Sequence, residues 1–174
     1  HHLLDAFEQD ARKSAAGAGY ADRAELLAYC SLSANPVGRL LLHLYGVGTP
    51  EDLAQSDAIC SALQLINFWQ DLGVDVPRGR YYLPAADCRR HRIDPDAPAS
   101  WAGHPDSPAL VAELCAWARE LMLSGAPLVH RVPGRAGWEL RLVVQGGLRI
   151  LHRIERVGFR TLQSRPRLGA VDLP

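Results

Sequence analysis

Three side chains carrying oxygen donors recur at four-residue intervals in the stretch LQLINFWQDLGVDVPRGRYYLP, residues 63–84: Asn67, Asp71 and Asp75. A step of four residues in an α-helix turns about 400° and rises about 6 Å, so the three form one nearly straight stripe. Gln64 joins it three residues earlier. The same segment carries Leu63, Leu65, Ile66, Phe68, Trp69, Leu72 and Val74, which predicts a largely buried helix. Carboxylates facing a protein interior repel each other and are costly to desolvate unless paired or bound to a cation. No Lys or Arg stands at helical spacing within 57–75. Mg²⁺ is the natural partner, because it prefers hard oxygen ligands and keeps part of its shell for water and substrate phosphates. The competing reading is an exposed polar edge at the end of a surface helix. Spacing alone does not choose between them.

The flanks add to the chemical reading. Gly73 removes a side chain between the two aspartates, where a ligand or a neighbouring helix can come close. Arg78, Arg80 and Tyr82 follow at once, and all three are suitable donors to the oxygens of a metal-bridged phosphate.

Nearly every other segment reads as helix. A first helix is expected over about 2–15, ended by AGAGYA. Asp22, with Glu25 three residues later, resembles a capping box opening a second helix that runs to about Tyr45. Pro36 lies inside it and should kink or break it at SANPVG. The helix holding the stripe starts at Thr49 as N-cap with Pro50 next, and Pro77 and Gly79 end it near 75. LPAADCRRH suggests a short helix and DPDAPASWAGHPDSP a loop. Ser107–Pro108 opens a helix to about 124, and GRAGWELRLVVQGGLRILHRIERVG forms the last long one. No strand-like alternation or fixed repeat appears, so the class is all-α.

Composition narrows the function classes. With 174 residues and 48% hydrophobic content, one domain with a sizeable core is expected. No apolar run approaches the roughly 18–20 residues of a membrane span, and no signal peptide is visible. Cys30, Cys60, Cys88 and Cys115 lack CxxC spacing and fit reduced thiols in a cytoplasmic protein. The net charge of zero hides an asymmetry: residues 131–174 hold nine arginines and three acids, whereas 1–75 hold four basic and ten acidic side chains. The basic end reads as solvated helix faces, or as a surface for anionic lipid or a diphosphate. It lacks interleaved aromatics and any nucleic-acid motif. His43, His130 and His152 have no paired-ligand spacing and read as structural histidines. Trp69, Trp117 and Trp138 read as core aromatics.

NFWQDLGVD followed by GRYYLP resembles the second aspartate-rich motif of the squalene/phytoene synthases, all-α enzymes that join two prenyl diphosphates head to head. The resemblance extends to YCSLSANPVGRLLLHLYG (29–46) and to GRAGWELRLVVQGGLRILHRIE (134–155), and so covers nearly the whole chain. SANPVGRL and LQLINFWQD look most like the bacterial hydroxysqualene synthase branch of the hopanoid pathway.

The resemblance implies an isoprenoid-synthase helical bundle around an apolar cavity. It implies that Asn67, Asp71 and Asp75 hold Mg²⁺ against a substrate diphosphate, with Gln64 facing the reacting centre. Tyr29 matches the tyrosine near the carbocation and the departing diphosphate, and Arg80 and Tyr82 match the pair after the metal motif. Asn35, beside Pro36, is a candidate for holding the attacking water, since an amide both donates and accepts. The implied reaction is Mg²⁺-dependent conversion of presqualene diphosphate to hydroxysqualene. The alternatives are condensation of two prenyl diphosphates to presqualene diphosphate, squalene or phytoene, or a helical binding module without catalysis. No Gly-rich nicotinamide loop is visible. The expected location is cytoplasmic, with peripheral membrane contact through the basic end as a further expectation.

Three departures stand out. Ser33–Pro36 replaces a Val-Ala-Gly pattern, Gln70 stands where some relatives carry Arg, and no first aspartate-rich motif is present, DAFEQD not matching one. Together with the absence of an initiating Met, this leads to the expectation that the chain is the later part of a single longer domain. Gly146–Gly147, costing about 1–2 kcal/mol of helix propensity, allows close helix packing or room for a prenyl chain.

Overall fold

The computed structural model describes residues 8, 12, 13 and 17–166. Among them six α-helices and no strand occur: α1 (Arg23–Ser33), α2 (Asn35–Leu44), α3 (Pro50–Asp75), α4 (Ala85–Arg90), α5 (Ser107–Gly125) and α6 (Gly134–Arg156). Glu8, Arg12 and Lys13 are helical, but the rest of the helix expected over 2–15 lies outside the described residues.

Local chemistry sets most boundaries. Asp22 caps α1 by accepting the Glu25 N–H at 2.9 Å. The return bond goes one residue further out than a capping box has it, with Glu25 accepting the Ala21 N–H at 2.6 Å. The expected kink at Pro36 is a full break, with α1 ending at Ser33 and α2 restarting at Asn35. Pro36 thereby falls in the first turn of a new helix, where its missing N–H costs no bond. At α3, Thr49 Oγ1 accepts the Asp52 N–H at 3.2 Å while the Asp52 carboxylate accepts the Thr49 N–H at 3.0 Å. That is a complete capping box, with Asp in the third position.

α3 is the axis of the bundle, 26 residues and about 39 Å long. It buries Leu65, Ile66, Phe68, Trp69 and Leu72, each contributing about 1.5–3 kcal/mol relative to exposure. Its main partner is α5, crossing where a Cβ on Gly125 would lie 2.5 Å from the Gln55 carbonyl oxygen. On another side α2 comes close at Gly38, whose Cβ would meet Cys60 Sγ and Ser56 Oγ at 2.5 Å. The segment over 94–108 is not mere loop. Pro98–Gly103 winds into a 3₁₀ turn, and Trp101 is buried with its indole donating to the Asp94 carbonyl at 2.8 Å.

The glycine pair of α6 divides its duties. A Cβ on Gly147 would lie 2.8 Å from Met122 Cε and 3.2 Å from Leu63 Cδ2, whereas one on Gly146 meets nothing within 4 Å. Close packing therefore explains Gly147. Gly146→Ala should raise unfolding free energy by about 0.5–1 kcal/mol through helix propensity alone, and Gly147→Val should lower it by about 1–3 kcal/mol through overpacking. Urea melts of the two variants check the opposite signs.

One charged network ties α1, α4 and α5 together. Arg23 donates to Asp87 Oδ1 at 2.7 Å and to Glu113 Oε1 at 2.5 Å. Arg90 reaches the same two carboxylates, and His91 Nε2 lies 2.8 Å from Glu113 Oε2. The His91 hydrogen bond, then Arg90 and Arg23, hold the Glu113 carboxyl down at about 2 against its ordinary 4.5. A folded pKa lowered in this way gives stability that is complete above pH 4.5 and lost as pH falls toward 2. Acid titration followed by circular dichroism should show the chain losing stability over that window, and Glu113→Gln should flatten the response.

One expectation by residue type fails in part. Trp138 is 63% exposed on the outer face of α6, and Trp117 is half-buried under the Arg23 guanidinium, 5.0 Å from its ring centroid. Only Trp69 of the three is a core residue. His43, His130 and His152, read as structural, are exposed, with His130 Nδ1 3.2 Å from Arg141 Nη2 and His152 Nδ1 3.7 Å from Glu155 Oε2.

Candidate functional site

The stripe forms as its spacing requires, on the C-terminal half of α3. Asn67 is exposed, Gln64 half-buried, and the Asp71 and Asp75 side chains are 28% and 13% exposed. The acids are thus neither core nor open surface. Helix geometry puts Ser56, Cys60 and Leu63 within about 40° of Asn67 round the axis. Those three residues line an apolar groove of about 320 Å³ with Val37, Leu41 and Val143. Asn67 and the apolar groove therefore share one face of one helix, the groove beginning at Leu63, about 6 Å below Asn67.

The residues after α3 return to it through a left-handed glycine. Gly79 has φ +76°, a conformation that side chains with a Cβ disfavour. The turn lets the Arg80 N–H bond the Asp75 carbonyl at 3.1 Å and sets the Arg80 guanidinium 3.8 Å from Asp75 Oδ1. Arg78 is exposed at the same corner. The chain then turns inward, and Tyr82 stacks on Phe68 with ring centroids 3.8 Å apart. Tyr29 packs near Phe68 at 6.2 Å, and Tyr20 lies 5.7 Å from Tyr29 and 6.0 Å from Tyr82. Phe68 follows Asn67 directly, so this aromatic wall flanks the stripe. Tyr29 and Tyr82 are both buried.

The basic partner of Asp71 comes from outside α3. Arg165, from the segment after α6, grips Asp71 with both ends of its fork, Nε to Oδ1 at 2.5 Å and Nη2 to Oδ2 at 2.9 Å. The same segment gives Thr161 O to the Gly73 N–H at 3.0 Å and Pro166 O to Gln70 Nε2 at 2.8 Å. A Cβ on Gly73 would come within 2.8 Å of Thr161 O, so the close approach anticipated at Gly73 is made by the chain itself.

Asn35 stands apart from these residues. It is buried at the α1–α2 break, and its Oδ1 accepts a hydrogen bond from Ser61 Oγ at 3.1 Å. Ser61 lies about 120° round α3 from Asn67. The contact joins α2 to α3, and the structure does not bring Asn35 to the stripe.

Asn67, Asp71 and Asp75 fit a hard cation by donor type, and Asp71 is paired with a guanidinium. Among the described residues no group of three or more His, Cys, Asp and Glu converges on one point. The stripe by itself offers two carboxylates and one amide along α3. The four cysteines are free thiols, and burial pushes Cys30, Cys88 and Cys115 up to about 12, which makes them inert at neutral pH. Among the described residues no helix is long and apolar enough to cross a membrane.

The family model for squalene/phytoene synthase matches residues 1–172. A phytoene synthase of Thermus thermophilus is 35% identical over 148 residues, covering 84% of this chain and 50% of that protein. A hydroxysqualene synthase of Rhodopseudomonas palustris is 43% identical over 83 residues, 47% of this chain and 27% of that one. The crystal structure of squalene synthase HpnC from Alicyclobacillus acidocaldarius matches with a TM-score of 0.84 at 34% identity, over 91% of this chain and 59% of that chain. The chain spans about half the length of the curated relatives it matches. The all-α isoprenoid-synthase bundle expected from the sequence is the fold observed.

Proposed function

The chain belongs to the squalene/phytoene synthase family, and from that premise we propose that it serves the conversion of presqualene diphosphate to hydroxysqualene. The observation that carries the reading is the shared face of α3, where an oxygen-donor stripe caps an apolar groove. A prenyl diphosphate has this shape, an anionic head on a long hydrocarbon.

Asn67, Asp71 and Asp75 would hold Mg²⁺, which when bound supplies Lewis acidity to the leaving diphosphate. Arg78 and Arg80 lie at the end of the stripe, placed to donate to diphosphate oxygens. The ester C–O bond breaks with its electron pair leaving on the diphosphate. The buried rings of Tyr29, Phe68 and Tyr82 lie beside the stripe, and their π-electrons would favour a nearby carbocation by about 0.5–2 kcal/mol at a ring that faces it. Gln64, one turn before Asn67, orients the reacting end. The cyclopropylcarbinyl cation rearranges with cleavage of a ring C–C bond, water then forms the new C–O bond at the opened cation, and its proton passes to the released diphosphate or to solvent. The apolar groove keeps other water away from the cation.

A second reading, condensation of two prenyl diphosphates, draws on the likeness to the Thermus phytoene synthase over 84% of the chain. The two separate by product. Given presqualene diphosphate and Mg²⁺, the protein should release hydroxysqualene, detected by mass spectrometry, with no requirement for NADPH. Consumption of farnesyl diphosphate alone, with presqualene diphosphate accumulating, would select the second reading.

A further inference from the structure

We propose that Arg165 is a built-in counter-cation which straps residues 161–166 over Asp71, and that a divalent cation and the closed strap exclude one another. The inference rests on reading the stripe as a cation site.

The strap has buried ends and an exposed middle. Thr161 and Pro166 are buried, whereas Gln163, Ser164 and Arg165 between them are exposed. Thr161 is held by the Gly73 N–H, Pro166 by Gln70, and Gln163 donates to the Ala102 carbonyl at 2.7 Å. Only Arg165 adds a charged contact, and it takes both oxygens of the Asp71 carboxylate. The fork occupies one lone pair on each oxygen, so a metal ion bound there would have to share the carboxylate with the guanidinium. A divalent ion bonded to it would also stand against the guanidinium's own charge. The two cations therefore compete, and loading the metal detaches the one charged tie of the strap. With buried anchors on either side, the exposed middle can lift without disturbing α3.

Mn²⁺ serves as the probe, titrated into the wild type and Arg165→Gln and followed by electron paramagnetic resonance. Removing the competitor should tighten Mn²⁺ binding about tenfold, with Arg165→Lys, a point charge without the fork, falling between. In the wild type, Mn²⁺ should also speed amide hydrogen exchange at 163–165 while leaving α4 unchanged. Equal or weaker Mn²⁺ binding by Arg165→Gln, or a strap whose exchange ignores Mn²⁺, overturns the proposal. Absence of Mn²⁺ binding in wild type and variants alike overturns the cation reading itself, and the strap's role with it. Binding that Asp71→Asn abolishes but Arg165→Gln leaves unchanged overturns the strap alone.

Discussion

Asp71→Asn and Asp75→Asn should each lower kcat/KM with a prenyl diphosphate by at least about a hundredfold, or about 2.7 kcal/mol of transition-state stabilisation. Each change keeps the shape of the side chain and removes one negative charge from the stripe. A hard cation loses its strongest kind of ligand, and the diphosphate loses its bridge to the protein. Folding should survive, because neither carboxylate is in the core and each faces a guanidinium that can turn to solvent. Helix content by circular dichroism should match the wild type, and activity should return in part at high Mn²⁺ or Mg²⁺. The two variants differ in one respect. Asp71→Asn also loosens Arg165, whereas Asp75→Asn leaves the strap closed. Undiminished turnover in both variants at limiting metal would remove the stripe from the reaction.

What the sequence makes legible is what short range dictates. Thr49–Pro50 and Asp22 mark helix starts because a cap bonds within three residues of itself, and both caps are formed. The stripe is legible because four-residue spacing fixes a face whatever packs against it. Partners from elsewhere in the chain leave no such trace. Arg165 lies 94 residues from Asp71, and nothing local marks it among the nine arginines of the basic end. The stacking of Tyr82 on Phe68 depends on the Gly79 reversal, which the sequence shows as a stop but not as a direction. Trp138 and Trp101 show the same limit from the other side. Residue type put the first in the core and local composition put the second in a loop. Helix rotation and a 3₁₀ turn reverse both assignments.

The apolar groove gives the last prediction, and it bears on chain length as well as on reaction type. Val143 lines the groove yet is 43% exposed, so a larger side chain there can grow into the groove without forcing the core apart. The groove, at about 320 Å³, sits at the lower end of the size range of small-molecule sites. It has little room to spare. A tryptophan at 143 should exclude on the order of three methylenes of a bound chain, each contributing about 0.8 kcal/mol when buried. Val143→Trp is therefore expected to lower kcat/KM for a farnesyl-length substrate by roughly fiftyfold, from about 2.4 kcal/mol of lost burial. A geranyl-length substrate, which reaches less far from the stripe, should lose much less. The ratio of the two is the decisive quantity, because damage to folding or to the metal stripe would lower both together. Thermal melting should stay close to wild type, since an exposed residue on α6 is being enlarged toward open space. A uniform loss across chain lengths, or no loss at all, would mean that the hydrocarbon runs elsewhere. The shared face of α3 would then position the diphosphate without guiding the chain behind it.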